Sequence, residues 1–194
     1  MSKWLIVALM GLTFLSACSR NPVVNRVDPN QEFALTDRWN ATDSRLVAQE
    51  MMQDMMAFPW YNQWLREQGS TPKVIVQNIR NLSHESIPVE TFINDIKRAA
   101  LQQGSVDFVA SADVRQDIRE ERFDQGDYAR PDTQAQFGQE LGADFALVGS
   151  INSFVDAHRN RRVTSYQVDL MLINIETNQQ VWLGQKKIQK TARF

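Results

Sequence analysis

Strand-like and helix-like segments alternate over residues 73–187, and this alternation limits the fold of the chain more than any other feature. Residues 73–79 are rich in β-branched side chains and predict a strand. The apolar side chains of residues 89–100 then recur with helical spacing, and residues 106–110 predict a second, short strand. An alternation of this kind is typical of a sheet whose strands are linked by helices.

The last third of the chain predicts three further strands. Residues 145–151 form a continuous apolar run, which is typical of a buried central strand. Apolar and polar side chains alternate over residues 165–172, so this strand has two different faces. Thr177-Asn178 predicts the turn of a closing antiparallel hairpin with residues 180–187. The fold class is therefore α/β, with a mixed sheet of four to five strands flanked by about four helices.

Capping residues and apolar spacing predict where the first helix lies. Short polar side chains at residues 36–40 can cap its start, and Pro59 ends or bends it. One face of this helix carries the apolar side chains of Val47, Met51, Met55 and Phe58.

Two further helices are predicted in the middle of the chain. Ser111 can cap a charged helix that runs over residues 112–122. Pro131 and Asp132 are expected to start another helix, which passes through residues 137 and 141 and stops at Gly142.

The first residues have the features of a secretory signal peptide. Lys3 supplies a positive start, an apolar run follows over residues 4–14, and small residues lead into Cys18, the one cysteine of the sequence. The apolar run is shorter than the about 20 residues that a membrane-spanning helix needs. These features are compatible with an ordinary signal peptide and a buried free cysteine, or with the signal sequence of a lipoprotein.

The sequence Leu15-Ser16-Ala17-Cys18 resembles the lipobox of bacterial lipoproteins. The resemblance implies that the signal is cut before Cys18 and that Cys18 is lipidated. More than one acyl chain is enough for stable attachment to a membrane. Since Ser19 follows the cysteine where aspartate would favour the inner membrane, the resemblance implies an outer-membrane location that faces the periplasm.

We expect three parts in the chain: a lipoprotein signal peptide over residues 1–17, a lipidated cysteine with a short flexible tether over 18–35, and a single globular α/β domain over 36–194. Removal of the signal takes away Lys3 and changes the formal charge from −2 to −3. This balance indicates neither nucleic-acid binding nor an acidic tail. A domain of this size can be stabilised by its core without a disulfide.

The sequence offers little for catalysis or metal binding. His84 and His158 are far apart, whereas zinc needs three or four converging ligands. A triad can be written from Ser150 or Ser153 with Asp156 and His158, but residues 149–153 lack the second glycine of a nucleophile elbow. Glycine-rich phosphate motifs are absent from the sequence.

Carboxylates are abundant but are interleaved with arginines. Asp117, Glu120 and Glu121 alternate with three arginines, a pattern typical of a solvated helix face. The carboxylate pair of a glycosidase cannot be recognised or dismissed from sequence. We therefore predict no catalytic, cofactor-binding or metal-binding residue and no enzymatic activity.

Two clusters have both a functional and a structural interpretation. Arg159, Arg161 and Arg162 fall between two predicted strands, where they either solubilise a loop or bind phosphate, lipid head groups or an acidic protein. Trp60, Tyr61 and Trp64 either form an interface or fill the core, and the core is favoured.

With these elements in place, the chain from about residue 39 to residue 190 resembles the LpoB family of peptidoglycan-synthase activators. Six short segments carry the resemblance through their order and spacing, and none of them is a catalytic signature. They comprise residues 39–47, 72–76, Asn81 with 83–85, 118–122, 142–144, and 175–177 with 181–182.

The resemblance implies a non-enzymatic outer-membrane lipoprotein whose domain is similar to the amino-terminal domain of TolB. It implies binding to a bifunctional class A penicillin-binding protein, with stimulation of glycan polymerisation and peptide cross-linking. It implies no cofactor and no nucleic-acid partner. A CsgG-like or TolB-like assembly or secretion lipoprotein and a cell-wall enzyme are the alternatives.

The tether of this chain is shorter than the long Pro-rich tether of the best-known family members. Fully extended, residues 19–31 span about 45 Å. That length and one domain do not cross a periplasm on the order of 200 Å wide. Either the partner extends further outward or this branch of the family has a different task.

Overall fold

The computed structural model describes residues 35–194, together with Arg26 and Asp28. The predicted signal peptide, the lipidation site Cys18 and nearly all of the predicted tether lie outside the described residues. Within them are four helices and five strands, in the order α1 (Ala41–Ala57), α2 (Pro59–Gln68), β1 (Lys73–Asn81), α3 (Val89–Gln103), β2 (Asp107–Phe108), α4 (Ala112–Tyr128), β3 (Phe145–His158), β4 (Arg161–Asn174) and β5 (Gln180–Arg193).

The five strands form one mixed sheet in the order β2-β1-β3-β4-β5. β1 is parallel to both β2 and β3, because a helix-containing crossover joins each pair. β3, β4 and β5 are joined by hairpins and are antiparallel. The predicted fold class is confirmed, and so is the central place of the apolar strand that begins at Phe145.

One face of the sheet and two long helices enclose the core. Alternate side chains of β4 are buried because strand residues point to opposite faces in turn. The core unites them with apolar side chains of α1 and α3; its largest fully buried members include Trp182, Tyr166, Phe92, Met52 and Met55.

The start and the end of α1 follow the sequence signals. The Asn40 side chain accepts a hydrogen bond from the Asp43 backbone N–H, and the Asp43 carboxylate accepts one from the Asn40 N–H. Pro59 is the first residue of α2, where its missing N–H costs nothing, so the chain bends at Phe58. Phe58 is 39% exposed and is therefore outside the predicted apolar face.

Of the aromatic residues after Pro59, Trp60 belongs to the core, and Tyr61 and Trp64 are partly buried against it. Trp60 is buried, and its indole Nε1 donates to the Met55 carbonyl oxygen at 2.8 Å. The rings of Trp60 and Trp64 each lie 5.0 Å from the Phe145 ring in edge-to-face contact. These residues form α2, a helix that the sequence analysis did not predict.

The predicted helix from Pro131 to Leu141 is wrong. Residues 129–144 form turns and irregular chain that connect α4 to β3. The Gln134 side chain donates to the carbonyl oxygens of Gly126 and Ala129, and the Ala135 N–H donates to the Gln125 side chain. These side-chain bonds satisfy backbone groups that a helix would otherwise use.

Among the described residues, no helix combines the length and the apolar character needed to cross a bilayer.

Candidate interaction surface

A group of apolar side chains is exposed where α4 meets the segment that follows it. Ile118 and Phe123 of α4 are 47% and 63% exposed, and Phe137 and Leu141 are 55% and 66% exposed. The rings of Phe123 and Phe137 lie 5.1 Å apart. We name these four residues the α4 surface. Exposed apolar side chains that adjoin one another often mark a protein interface.

The α4 surface is held together by an ion-pair network. Arg119 donates two hydrogen bonds to the Glu140 carboxylate, at 2.9 and 2.8 Å, and Arg122 donates a third at 3.0 Å. Hydrogen bonds from these two arginines lower the pKa of Glu140 to about 2. Glu140 is therefore ionised at neutral pH and ties the segment after α4 back to the helix.

The same network borders a small cavity of about 240 Å³ between α4 and the sheet. Ile118 and Leu141 contribute to its lining, and Phe108 and Val109 close it from the side of β2. The helix itself has no buried residue, so its apolar side chains are not used up by the core. The arrangement can receive an apolar side chain of a partner between charged neighbours.

A second cluster attaches the residues before α1 to β4. The Asp37 side chain is 4% exposed and accepts two hydrogen bonds from Arg162, both at 2.6 Å, and one from the Thr164 hydroxyl at 2.7 Å. The Tyr166 hydroxyl oxygen lies 3.2 Å from the Asp37 carbonyl oxygen. The bidentate Arg162 contact holds the pKa of Asp37 well below its usual range.

The structure divides the predicted arginine cluster. Arg159 forms the turn between β3 and β4 with a positive φ of 52°. Arg161 is exposed at the start of β4, whereas Arg162 is committed to Asp37 and lies 5.2 Å from the Phe194 ring. One of the three is thus structural, and the other two remain at the hairpin tip.

The serine and histidine candidates are brought together in a different pairing. His84 Nδ1 lies 2.6 Å from Ser153 Oγ, which also accepts the His84 backbone N–H at 3.0 Å. Glu85 lies 3.6 Å from His84 Nε2 and accepts a hydrogen bond from the Tyr166 hydroxyl. Because 69 positions separate His84 from Ser153, spacing alone could not have found the pair.

These contacts fasten a loop rather than assemble a nucleophile. The Leu82 N–H donates to the Ile151 carbonyl oxygen at 2.8 Å, and the neighbouring Ser153 contacts continue the attachment to β3. Ser153 Oγ accepts the His84 backbone N–H. The 3.6 Å between His84 Nε2 and the Glu85 carboxylate is longer than a hydrogen bond. In the part of the chain that the structure describes, no three His, Cys, Asp or Glu residues converge on a metal position.

Comparison with protein families gives one match. The model of the family described as "Peptidoglycan-synthase activator LpoB" matches residues 43–188, from the first turn of α1 almost to the end of β5. The chain belongs to the LpoB family. By its description, this family consists of activators of peptidoglycan synthases.

Solved structures with a similar fold include LpoB domains. The LpoB C-terminal domain from Salmonella enterica is 14% identical, with 76% of this chain and 99% of that chain covered and a TM-score of 0.42. The C-terminal domain from Escherichia coli is 17% identical, with 73% and 97% covered and a TM-score of 0.41.

A third neighbour is the lipoprotein GNA1162 from Neisseria meningitidis, 17% identical, with 62% and 83% covered and a TM-score of 0.41. No curated protein gives a significant match. Membership of the LpoB family rests on the family model.

Three of the residues that carry the LpoB resemblance, Trp39, Asp144 and Trp182, prove to be structural. Asp144 Oδ2 accepts the Lys73 backbone N–H at 2.8 Å, and the Trp182 indole donates to Asp54 at 2.8 Å. Trp39 packs edge-to-face on Tyr166 and Phe92, at 5.5 and 6.1 Å. Such residues identify the fold of an LpoB domain, and the surface that contacts a partner has to be found by geometry.

Proposed function

We propose that this protein is a lipid-anchored, non-enzymatic activator that binds a bifunctional class A penicillin-binding protein in the periplasm and stimulates its synthesis of peptidoglycan. The observation that carries the proposal is the family match over residues 43–188. Lipidation of Cys18 and attachment to the outer membrane are part of the proposal and are supported by the lipobox-like sequence.

The α4 surface is the part of the domain that we propose docks on the synthase. Its apolar side chains are exposed, and the Glu140 network keeps them in one arrangement before binding, which lowers the entropy lost on association. Phe123 and Phe137 are the type of aromatic anchor that fills a pocket of a partner.

Stimulation by such a docked domain is an allosteric effect. The activator shifts the synthase toward its active state only as far as it binds that state better than the inactive one. A fivefold stimulation therefore needs a coupling free energy of about 1 kcal/mol. A surface of modest size can supply this difference without any catalytic group.

The proposal is tested by adding residues 19–194, without lipid, to a polymerisation assay that contains lipid-linked precursor and one class A synthase of the host. We expect a several-fold rate increase with one synthase, saturating with concentration. A folded protein that stimulates none of the host's class A synthases would contradict the proposal.

The docking site is tested by placing a carboxylate on the α4 surface. Leu141→Asp, which is exposed and so should leave the fold intact, is expected to weaken stimulation at least tenfold because a desolvated charge opposes docking. Leu101→Asp is the matched control, since Leu101 is 54% exposed on α3 and is not one of the four residues of the α4 surface. Equal stimulation by the two variants would exclude the α4 surface.

The anchor is tested separately by Cys18→Ala. Without a thiol to lipidate, we expect an uncut precursor that carries no lipid and is found in the soluble fraction. The measurement is metabolic labelling with a fatty acid, followed by fractionation. A cut, membrane-bound Cys18→Ala product would contradict lipidation at this position.

A further inference from the structure

The face of the sheet opposite the core presents an ordered grid of side chains. Cross-strand partners of β3, β4 and β5 form three rows, since residues in register lie side by side on the same face. The rows are Ser150, Asp169 and Gln185; Asn152, Gln167 and Lys187; and Phe154, Ser165 and Gln189. We name these nine residues the outer grid.

The outer grid lies on the face of the sheet opposite α1 and α3. Its neighbours along the strands, such as Ile151 and Val168, are buried in the core with α1 and α3, so the intervening grid residues point to the other face. From the strand spacing, the grid measures about 10 Å across and about 14 Å along the strands. This area suits several linked rings rather than a single small molecule.

Hydrogen bonds within the grid orient its amide groups. Gln167 and Gln185 both donate to the Asp169 carboxylate, at 2.8–3.0 Å, and Gln189 donates to Ser165 Oγ at 3.1 Å. Within the described residues, the amide oxygens of Gln167, Gln185 and Gln189 accept no hydrogen bond. They are therefore oriented before any ligand arrives and still available to a hydroxyl or an amide N–H.

A shallow cavity of about 550 Å³ lies over two rows of the grid. Phe154, Gln167, Lys187 and Gln189 contribute to its lining. The Phe154 side chain is 66% exposed and gives this polar surface one aromatic face. A concave surface with oriented polar groups and an apolar contact has the composition of a ligand site.

The charge of the grid selects the class of ligand. Asp169 and Lys187 are its two charged residues and cancel each other. Nucleic acids and anionic membranes need several cations, so this surface favours a neutral ligand. A chain of N-acetylated sugars is neutral along its backbone, offers hydroxyl and amide groups to the grid, and has apolar C–H faces that can pack on Phe154.

We propose that the outer grid binds the glycan strand of peptidoglycan. The choice of this glycan rests on membership of the family of peptidoglycan-synthase activators, and it does not require docking through the α4 surface. Bound to the glycan strand, the domain would be held close to a synthase that elongates this glycan. The grid and the α4 surface are thus two sites with different ligands.

The test uses residues 19–194 with two probes, the tetrasaccharide chitotetraose and purified sacculi. Chitotetraose is expected to shift backbone amide resonances of β3, β4 and β5 around the grid, and sacculi are expected to sediment the protein. Gln167→Ala combined with Gln185→Ala should weaken both effects at least tenfold, and Phe154→Ala is a second, single variant. Gln63→Ala combined with Gln68→Ala is the matched control, because these amides are exposed on α2.

The proposal is overturned if chitotetraose shifts no resonance of the grid, or if folded grid variants bind as well as the control. Sedimentation with sacculi that disappears in 0.5 M salt, without chitotetraose binding, would indicate attraction to sacculus charges and also overturn it. The polymerisation assay is read in parallel. Glycan binding without stimulation of a synthase would contradict the proposed function and support glycan binding by the outer grid. Stimulation without glycan binding would support the proposed function and contradict glycan binding by the outer grid.

Discussion

At the scale of single residues, Asp37 shows how a side chain with no sequence signature becomes essential to the domain. In the sequence it is one of three short polar residues that could cap α1, with Thr36 and Asn40, yet Asn40 caps the helix and Asp37 binds Arg162 instead. The partners are 125 positions apart, and the contact joins the residues before α1 to the sheet. Residue type announces a polar role, and only the fold decides which one.

We predict that Asp37→Asn lowers the free energy of unfolding by about 2 kcal/mol at pH 7, because it removes the charge from a buried, hydrogen-bonded pair. Urea denaturation measures this difference. The control is Asp132→Asn, whose ion pair with Arg130 is exposed on both sides and should contribute almost nothing. A loss no greater than that of the control would contradict the structural role of Asp37.

The lowered pKa of Asp37 also predicts a pH dependence. In the unfolded chain its carboxyl titrates near pH 4, whereas the folded state keeps it ionised to lower pH. Its contribution is therefore complete above about pH 5 and is lost as the pH falls below about 4. In urea titrations, the difference in free energy of unfolding between the protein and Asp37→Asn should therefore decrease as the pH is lowered below about 4. A difference that stays constant with pH would argue against the pKa shift.

At the scale of elements, β3 depends on a glycine that lets neighbouring strands approach closely. A Cβ on Gly149 would overlap the Asp169 carbonyl oxygen and the Leu170 side chain of β4. Since both belong to a paired central strand, they cannot move aside cheaply. The pairing of β3 with β4 therefore requires glycine at this position.

We expect Gly149→Ala to lower the free energy of unfolding by about 1–3 kcal/mol, the usual range for overpacking. Gly142→Ala is the matched control, because nothing lies within 4 Å of a Cβ at that position and its φ is not positive. Thermal unfolding of the two variants measures the contrast. Similar melting temperatures would show that β4 can adjust to the added methyl group.

At the scale of the whole molecule, the two edges of the sheet bear on oligomeric state. One edge is β2, which has two residues, and the other is β5, which has 14. A long edge strand invites pairing with a second copy, but a charged side chain along it opposes such pairing. β5 carries Lys187, which is exposed, whereas Lys186 and Lys190 form ion pairs with Glu50 and Asp43 of α1.

We therefore predict that residues 19–194 sediment as a monomer in analytical ultracentrifugation at micromolar concentration. A monomer agrees with an activator that docks singly on a synthase, whereas a ring-forming species would favour the assembly or secretion alternative. Replacing Lys187 by threonine should increase self-association, because the edge then lacks this exposed charge. A stable oligomer of the unmodified chain would contradict the argument.

Residue order alone was sufficient to predict the fold class, the positions of the strands and the family. These depend on local periodicity: the apolar run that begins at Phe145 and the alternation around Val168 encode burial directly in residue order. The same reasoning failed for residues 129–144, where Pro131 and a later glycine imitate helix signals. There the Gln134 and Thr133 side chains satisfy the backbone locally, and hydrophobic spacing does not report such bonds.

The contacts between distant side chains, by contrast, follow from how the elements pack together. The Asp37–Arg162 pair, the His84–Ser153 contact and the α4 surface join residues from separate elements, and the register of β3, β4 and β5 places nine side chains in one grid. The physical reason is that a contact between distant residues depends on strand order and packing, which the whole chain settles cooperatively. Local patterns specify what each segment becomes, and the assembled sheet specifies which surfaces it offers to partners.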